Sequence, residues 1–321
     1  MKLLGDCRYS RDDIQAVLNA PVPFTKKGGE REVDLAEKLL ATLNEDQMEQ
    51  AAQSSYAYWL ATLSDKPPTA DERRKMALRE CRRHIMKRTL EEATGEILES
   101  MKYRKDRRVD LMRACFEDDI EIENENDRMK IEKMKAHIRD DLGRQNGYIH
   151  GHDKEGRAIL IVRSRESVAA DEDAFILSCL YLMERAIAST EKYTAARQET
   201  IIVVLDFGKF SSSLSPTLTA ATTVAKTLQC RYTQRLFKMV IIDPPFWMRT
   251  MYSMIKPFLS PLTTAKFIMA TGDSAKHDTL SDFIDDDQAM PFMLPGGKLE
   301  GKVDLDKFLG GTPFQLSYDE K

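Results

Sequence analysis

The sequence has few of the residues and spacings that signal chemistry. It holds five cysteines, Cys7, Cys81, Cys115, Cys179 and Cys230, and no two form a Cys-x-x-Cys pair. A zinc site or redox motif is therefore not expected. An odd count also argues against a disulfide framework, so the thiols read as reduced, with Cys179 and Cys230 in the core. No stretch approaches the ~20 consecutive apolar residues that a membrane span requires. Met1 to Ser10 has no apolar run of signal-peptide length. The expectation is a cytoplasmic protein whose membrane contact is peripheral.

Catalytic motifs are missing as well. There is no Gly-x-Ser-x-Gly elbow and no Gly-x-Gly-x-x-Gly fingerprint. Gly151 and Gly156-Arg157 have part of the phosphate-loop spacing without its Lys-Ser/Thr. His150, His152 and Asp153 could be drawn as a metal cluster, but a polar turn before a strand accounts for them better. Asp206 and Asp243 end two apolar runs and could do acid–base work, although a strand-end Asp more often caps the following turn. No catalytic residues, metal or cofactor are assigned. The chain reads as a binding protein and not an enzyme.

Strong net charge is absent too. The formal value is −4 over 321 residues, which does not suit a nucleic-acid binder. Charge is locally uneven, with about five more Lys and Arg than Asp and Glu between Asp71 and Arg113. The stretch Arg73 to Arg88 has no interleaved aromatics and reads as a solvated helix face.

What is present is a core, with hydrophobic residues making up 42% of the chain. Residues 1–30 read as a flexible tail, with Pro21, Pro23 and Gly28-Gly29 as breakers. Residues 31–145 show helical spacing throughout, and nothing before Leu142 reads as a strand. Thr69 and Glu72 make a capping box that opens one of these helices. Four apolar runs then follow, at Ile159–Val162, Ile201–Leu205, Met239–Ile242 and Lys266–Met269. Helical segments lie between them, the first two at Asp171–Ser189 and Pro216–Arg231. Runs without polar alternation suit strands covered on both faces, and strand–helix alternation suits a mainly parallel sheet. The fold class is α/β, with a domain over 146–300 and a C-terminal tail over 301–321.

The segment Phe246 to Leu259 is anomalous. Arg249, Ser253 and Lys256 fall on one narrow stripe, flanked by Thr250. Phe246, Trp247, Met248, Met251, Tyr252, Met254, Ile255 and Phe258 occupy most of the rest. A helix packed on one side of a sheet needs only about a third of its circumference apolar. Something apolar is expected on a second face: a lipid, a membrane surface or another chain. Methionine and aromatic side chains suit a flexible apolar partner.

The surrounding residues resemble a known family. Tyr232-Thr233-Gln234-Arg235, then Ile241-Ile242-Asp243-Pro244-Pro245, then Lys256-Pro257-Phe258-Leu259-Ser260-Pro261 are similar to the CRAL-TRIO lipid-binding domain. That is the family of phosphatidylinositol and α-tocopherol transfer proteins. Gly151-His152-Asp153-Lys154-Glu155-Gly156-Arg157, Val204-Leu205-Asp206 and Leu294-Pro295-Gly296-Gly297 extend the resemblance to about Asn146–Lys298. It implies a sheet flooring a cavity for one lipid, with Ile201, Val203, Leu205, Val240 and Ile242 in the floor and the Phe246–Leu259 helix as a mobile gate.

The resemblance also implies head-group residues. Thr263 and Lys266 match a Thr and a Lys that serve phosphoinositide-binding members. Gln234 stands where those members carry Glu, keeping hydrogen-bonding capacity and losing charge. An ammonium and a hydroxyl suit the oxygens of an inositol phosphate. The phosphatidylcholine pattern needs hydroxyls where Ile201 and Val203 stand, and burying that head group without partners is costly. Phosphatidylinositol is thus favoured over phosphatidylcholine, with transient contact to a membrane surface. The alternatives are a sterol, tocopherol, carotenoid or other isoprenoid in the same cavity, or a protein-interaction scaffold that uses the apolar helix. A basic residue that helps from the family's N-terminal helices has no identifiable counterpart.

Overall fold

The computed structural model describes residues 1–4, 9–24, 29–86, 88–144, 147–163, 172–208, 218–259, 261–299 and 304–310. Its first part is a helical layer: α1 (Arg11–Asn19), α2 (Gly29–Ala41), α3 (Glu45–Ala52), α4 (Tyr56–Leu63), α5 (Ala70–Ile85), α6 (Leu90–Asp106), α7 (Val109–Ala114) and α8 (Glu125–Gly143). Local sequence sets several of these starts. Ser10/Asp13, Asn44/Gln47, Thr69/Glu72 and Thr89/Glu92 each make a reciprocal capping box. Each box satisfies backbone N–H groups that a helix terminus leaves open.

A five-stranded sheet follows: β3 (Gly147–His152), β4 (Ala158–Val162), β5 (Ile201–Asp206), β6 (Leu236–Ile242) and β7 (Phe267–Ala270), side by side in that order. The four strands from β4 to β7 are parallel, and β3 runs antiparallel along the edge. The long helix α9 (Glu172–Tyr193) packs on β3 and β4 and also meets α4 and α8. The remaining helices are α10 (Leu218–Arg231), α11 (Phe246–Ile255), α12 (Pro261–Thr264), α13 (Gly272–Leu280) and α14 (Leu305–Gly310). A single 3₁₀ turn, Lys256–Phe258, follows α11 directly. Among the described residues no helix is long and apolar enough to cross a membrane.

Five expectations are corrected here. The segment expected as a loose tail carries α1, whose Ile14, Val17 and Leu18 are buried, and the buried Tyr9 donates its hydroxyl to the Ala188 carbonyl at 2.5 Å. The C-terminal segment carries α14, which buries Phe308 and Leu309, and Arg185 donates to the Phe308 carbonyl at 2.6 Å. Before Leu142 there is a two-stranded ladder, β1 (Lys2–Leu3) against β2 (Ile120–Glu121). His150 and His152 lie in β3, not in a turn, and both are buried. The His152 Nε2 sits 3.1 Å from the Ser189 hydroxyl, and its ring stacks on Tyr193 with centroids 4.0 Å apart.

The fifth correction concerns Arg73–Arg88, which is not a solvated face. Arg79, Arg82 and Arg83 point inward to one buried carboxylate. They donate to Glu199 at 2.9, 3.0 and 2.7 Å. Burial pushes the Glu199 carboxyl up, but Arg83, Arg79, Arg235 and Arg82 outweigh it and hold it down at about 2. A charge can be buried at tolerable cost only when it is paired in this way. Glu184 of α9 makes a second hub. It accepts from Arg104 at 2.6 Å, Arg113 at 2.7 Å and the Tyr232 hydroxyl at 2.8 Å. The two hubs bind α5, α6 and α7 to the sheet half of the molecule.

Candidate functional site: an apolar cavity with one polar end

One face of the sheet floors a cavity of about 520 Å³. The strand period decides which residues reach it, because successive side chains point to opposite faces. Parallel register places Leu160, Val203, Met239 and Phe267 in one row across four strands, and all four line the cavity. The row one residue further on pairs Ile161, Val204, Val240 and Ile268 and faces the other way. Val203 and Leu205 therefore line this face of the cavity. Val240 and Ile242 do not, because they alternate with Met239 and are sealed in the opposite core. Ile201 is likewise fully buried outside the cavity lining. The floor residues that the apolar runs did not single out are Leu160, Val162, Met239 and Phe267.

Three helices wall the cavity, each with one stripe of side chains. From α9 come Phe175, Cys179, Leu182 and Met183, and from α10 come Val224, Ala225, Leu228 and Gln229. From α11 come Trp247, Met248, Met251 and Tyr252. Each set repeats at the spacing of one helix face. Cys179 and Cys230 thus border the cavity and are not closed within the core. Burial still pushes the Cys179 thiol up, to about 12, with Asp141 adding to the shift.

The α11 helix lies across the cavity as a roof. Tyr252 packs on Phe267 of the floor, with centroids 5.3 Å apart, and Trp247 meets Phe207 edge-on at 5.8 Å. Its outer face carries Arg249, Thr250 and Ser253, as the sequence stripe implied. Phe246 and Met254 also face outward, 85% and 49% exposed, and do not line the cavity. The helical period puts Phe246 about 180° and Met254 about 90° from the middle of the stripe formed by Trp247, Met248, Met251 and Tyr252. The side chains of Ile255 and Phe258 lie outside the described residues.

One end of the cavity is polar. Gln234, Thr263 and Lys266 all border it. The Lys266 ammonium donates to the Leu236 carbonyl at 2.6 Å and to Gln234 Oε1 at 3.3 Å. Burial, and then the charge of Lys238, pull its pKa below the ordinary lysine value. Gln234 is held with φ +57°, a conformation uncommon for a residue with a side chain. Its neighbours pin it there: Tyr232 through Glu184, and Arg235 by donating to the Glu199 carbonyl at 3.2 Å. Arg88 also borders the cavity, paired to Glu96 at 2.8 Å. One turn beyond Glu96, Ser100 donates to the Arg231 carbonyl, so this pair sits at the α10 end that leads to Thr233 and Gln234. Arg88 is a basic residue of the helical part that the sequence does not single out, because it lies in a connection between helices where no periodicity points.

Asp206 and Asp243 do local structural work. Asp206 accepts from the Gly208 N–H at 2.8 Å and from Arg163 at 2.9 Å. Asp243 accepts from the Gly272 N–H at 3.1 Å and pairs with Lys276 at 2.6 Å. Asp206 caps the turn after its own strand, Asp243 ties the end of β6 to the start of α13, and neither borders the cavity.

Residues 143–293 match the family model of the CRAL/TRIO domain. Patellin-3 of Arabidopsis thaliana is 28% identical over 153 residues, covering 44% of this chain and 31% of that protein. A CRAL-TRIO domain-containing protein of Saccharomyces cerevisiae is 40% identical over 83 residues, 26% of each chain. Protein real-time of Anopheles gambiae is 21% identical over 218 residues, 64% of this chain and 29% of that one. This chain thus spans under a third of the length of these curated relatives. The crystal structure of Sfh5 superposes with a TM-score of 0.55 at 16% identity, covering 80% of this chain and 85% of that one. That likeness concerns the fold.

Proposed function

Given that residues 143–293 are a CRAL-TRIO domain, a lipid-binding fold, we propose that this chain binds one phosphatidylinositol-type lipid in the cavity beneath α11 and releases it at a membrane surface. The observation that carries this reading is Lys266. Its ammonium borders an apolar cavity and is met, among the described residues, by neutral acceptors. A half-buried charge with neutral partners is stabilised by an anionic ligand. The acyl chains would lie over the Leu160–Val203–Met239–Phe267 row, with Lys266, Thr263, Gln234 and Arg88 around the phosphate and the inositol. The floor has no hydroxyl beside Val203 to meet a choline phosphate, which favours inositol lipids over phosphatidylcholine.

In this reading α11 is the gate. Its cavity face is apolar, and Pro245 before it and the 3₁₀ turn after it mark the ends about which it would swing. The exposed Phe246 and Met254, flanked by Arg249 and Lys256, form an outer face suited to brief contact with an anionic membrane. No catalytic step, metal or cofactor enters. The test is to identify the lipid that co-purifies with the protein and to follow phosphatidylinositol movement between vesicles. A lipid-free protein that moves none would overturn the proposal.

The cavity volume favours a second reading. About 520 Å³ falls in the range of single small-molecule sites, so a sterol, tocopherol or carotenoid would also fit. An ultraviolet-absorbing extract free of phosphorus would select it.

A further inference from the structure

A strongly acidic stretch of the chain lies outside the lipid site. Seven of the eleven residues from Glu117 to Asp127 are acidic and none is basic. The stretch leads from α7 through β2 into α8, and beside it lies a second cavity, an open groove of about 510 Å³. The groove shares no lining residue with the lipid cavity. Its floor is apolar: Ala114, Ile120 and Ile131 are buried and Ile122 is half-buried. Met129 continues this surface and is 58% exposed. On the α8 side the lining runs from Glu125 to Lys135, about 15 Å at the helical rise.

The charge around the groove is net negative. Its lining sets Glu117, Glu125 and Glu132 against Arg128 and Lys135. Both bases are engaged from within. Arg128 donates to the Ile122 carbonyl at 2.6 Å and to Glu125 at 3.2 Å, and Lys135 donates to Glu132 at 3.0 Å. Glu117 accepts from the Tyr56 hydroxyl at 2.6 Å, a neutral partner that leaves its charge in place. Lys130 and Lys133 of α8 do not line the groove, and the helical period puts them about 180° and 120° round from the lining stripe. Four more carboxylates adjoin the groove, each next in sequence to Glu117, Ile120 or Ile122. Lys2, opposite Glu121 in the β1–β2 ladder, offsets one of them. Asp118, Asp119 and Glu123 form no side-chain hydrogen bond or ion pair among the described residues. Chain neighbours are about 3.8 Å apart between Cα atoms, well inside a screening length of about 8 Å. These charges therefore act on whatever enters the groove.

We propose that this groove docks a basic segment of another protein, one with a large apolar side chain flanked by Lys or Arg. The apolar anchor fills the floor against Ile122 and Met129, and the flanking cations meet the carboxylates of the rim. Nucleic acid and anionic membrane carry the same sign of charge as the rim and are repelled by it. An adaptable thioether at the edge suits an apolar anchor of varied shape. The α8 side is as long as about five residues of extended chain at ~3.3 Å each. The proposal does not rest on the lipid-binding reading, since the two sites have no residue in common.

The test titrates the full chain against a fluorescein-labelled peptide, Ser-Lys-Arg-Phe-Leu-Lys-Arg-Ser, and follows anisotropy at low salt. One control peptide replaces Phe-Leu by Ser-Ser, and a second replaces each Lys and Arg by Glu. The first peptide should bind about tenfold more tightly than either control. Met129→Ser should weaken it about fivefold, the scale of burying one exposed apolar side chain. The double variant Asp118→Lys with Glu123→Lys, at two exposed side chains, should weaken it about tenfold, and raising salt from about 50 mM to about 500 mM should erase that difference. Melting temperature and retained lipid should match the wild type in both variants. Equal binding of the Ser-Ser control shows attraction by charge alone and overturns the proposal. So does an affinity that neither variant moves, or no binding at ~1 mM protein. Self-association of the protein that Met129→Ser abolishes gives the groove to a second copy and overturns it as well.

Discussion

The Tyr232 hydroxyl donates to Glu184 Oε1 at 2.8 Å, so the turn that carries Gln234 hangs from the same carboxylate that holds Arg104 and Arg113. The polar end of the cavity is thereby fixed to the helical layer. Replacing Glu184 by alanine would leave two buried guanidiniums without their anion. The expected loss is about 3–5 kcal/mol in urea unfolding. Tyr232→Phe removes one neutral donor and should cost about 1 kcal/mol. Equal losses for the two would show that the arginines find other partners.

Stability should fall in two stages on acidification. Burial holds His150 and His152 at about 4, below the ordinary 6.5, and His152 adds to the effect on His150. A group depressed in the folded state contributes stability above its unfolded pKa, and that contribution is lost as pH falls. The first stage therefore spans pH 6.5 to 4. The second belongs to Glu184 and Glu199, each held at about 2, and begins below about pH 4.3. His152→Gln should shrink the first stage, leaving the share of His150, and spare the second, as followed by melting temperature against pH.

The two faces of the sheet should respond differently to the same enlargement. Val203→Phe extends into the cavity, so retained lipid should fall severalfold with little change in stability. Val240→Phe lies in the sealed face and should cost about 1–3 kcal/mol through overpacking, with lipid retention unchanged in the folded fraction. Co-purified lipid per mole of folded protein, together with urea midpoints, checks both. Loss of lipid in Val240→Phe alone would reverse the assignment of the faces.

The outer face of α11 should govern membrane contact without affecting the fold. Phe246→Asp and Met254→Asp replace exposed apolar groups. Their melting temperatures should match the wild type, whereas sedimentation with anionic vesicles should drop, by more in the double variant. Unchanged sedimentation would place the membrane contact elsewhere.

The sheet was legible in the sequence because β4 to β7 are covered on both faces and read as uninterrupted apolar runs. Strand β3 was not, since Gly147–His152 mixes glycine and histidine, and its burial comes from elements distant in the chain, α9 and the Asp286–Gln288 turn. The same holds for the arginines of α5. Arg79, Arg82 and Arg83 share a helical face with Met76, but the carboxylate that draws them inward is 116 or more positions away in the chain. Thr263, Lys266 and Gln234 were named from the family resemblance of the motifs they sit in, and all three border one cavity. Which strand residues join them was decided by register, and the runs at Met239–Ile242 were too uniform to reveal it.

Strand β6 accommodates one extra residue against β5: Ile201 pairs with Leu236 and Ile202 with Lys238, so Phe237 is skipped. Leu236 and Met239 both border the cavity although they are three positions apart, and Phe237 turns to the far side, beneath Arg157 and against Phe283. The insertion acts as a phase break. Upstream of it the strand borders the polar end of the cavity, and downstream it supplies the apolar floor, so the two halves keep separate frames. A lineage or a designer can vary Gln234 to Leu236 without disturbing the row through Met239, and deleting Phe237 would restore one-to-one pairing with β5 while leaving Leu236 and Met239 on the cavity face.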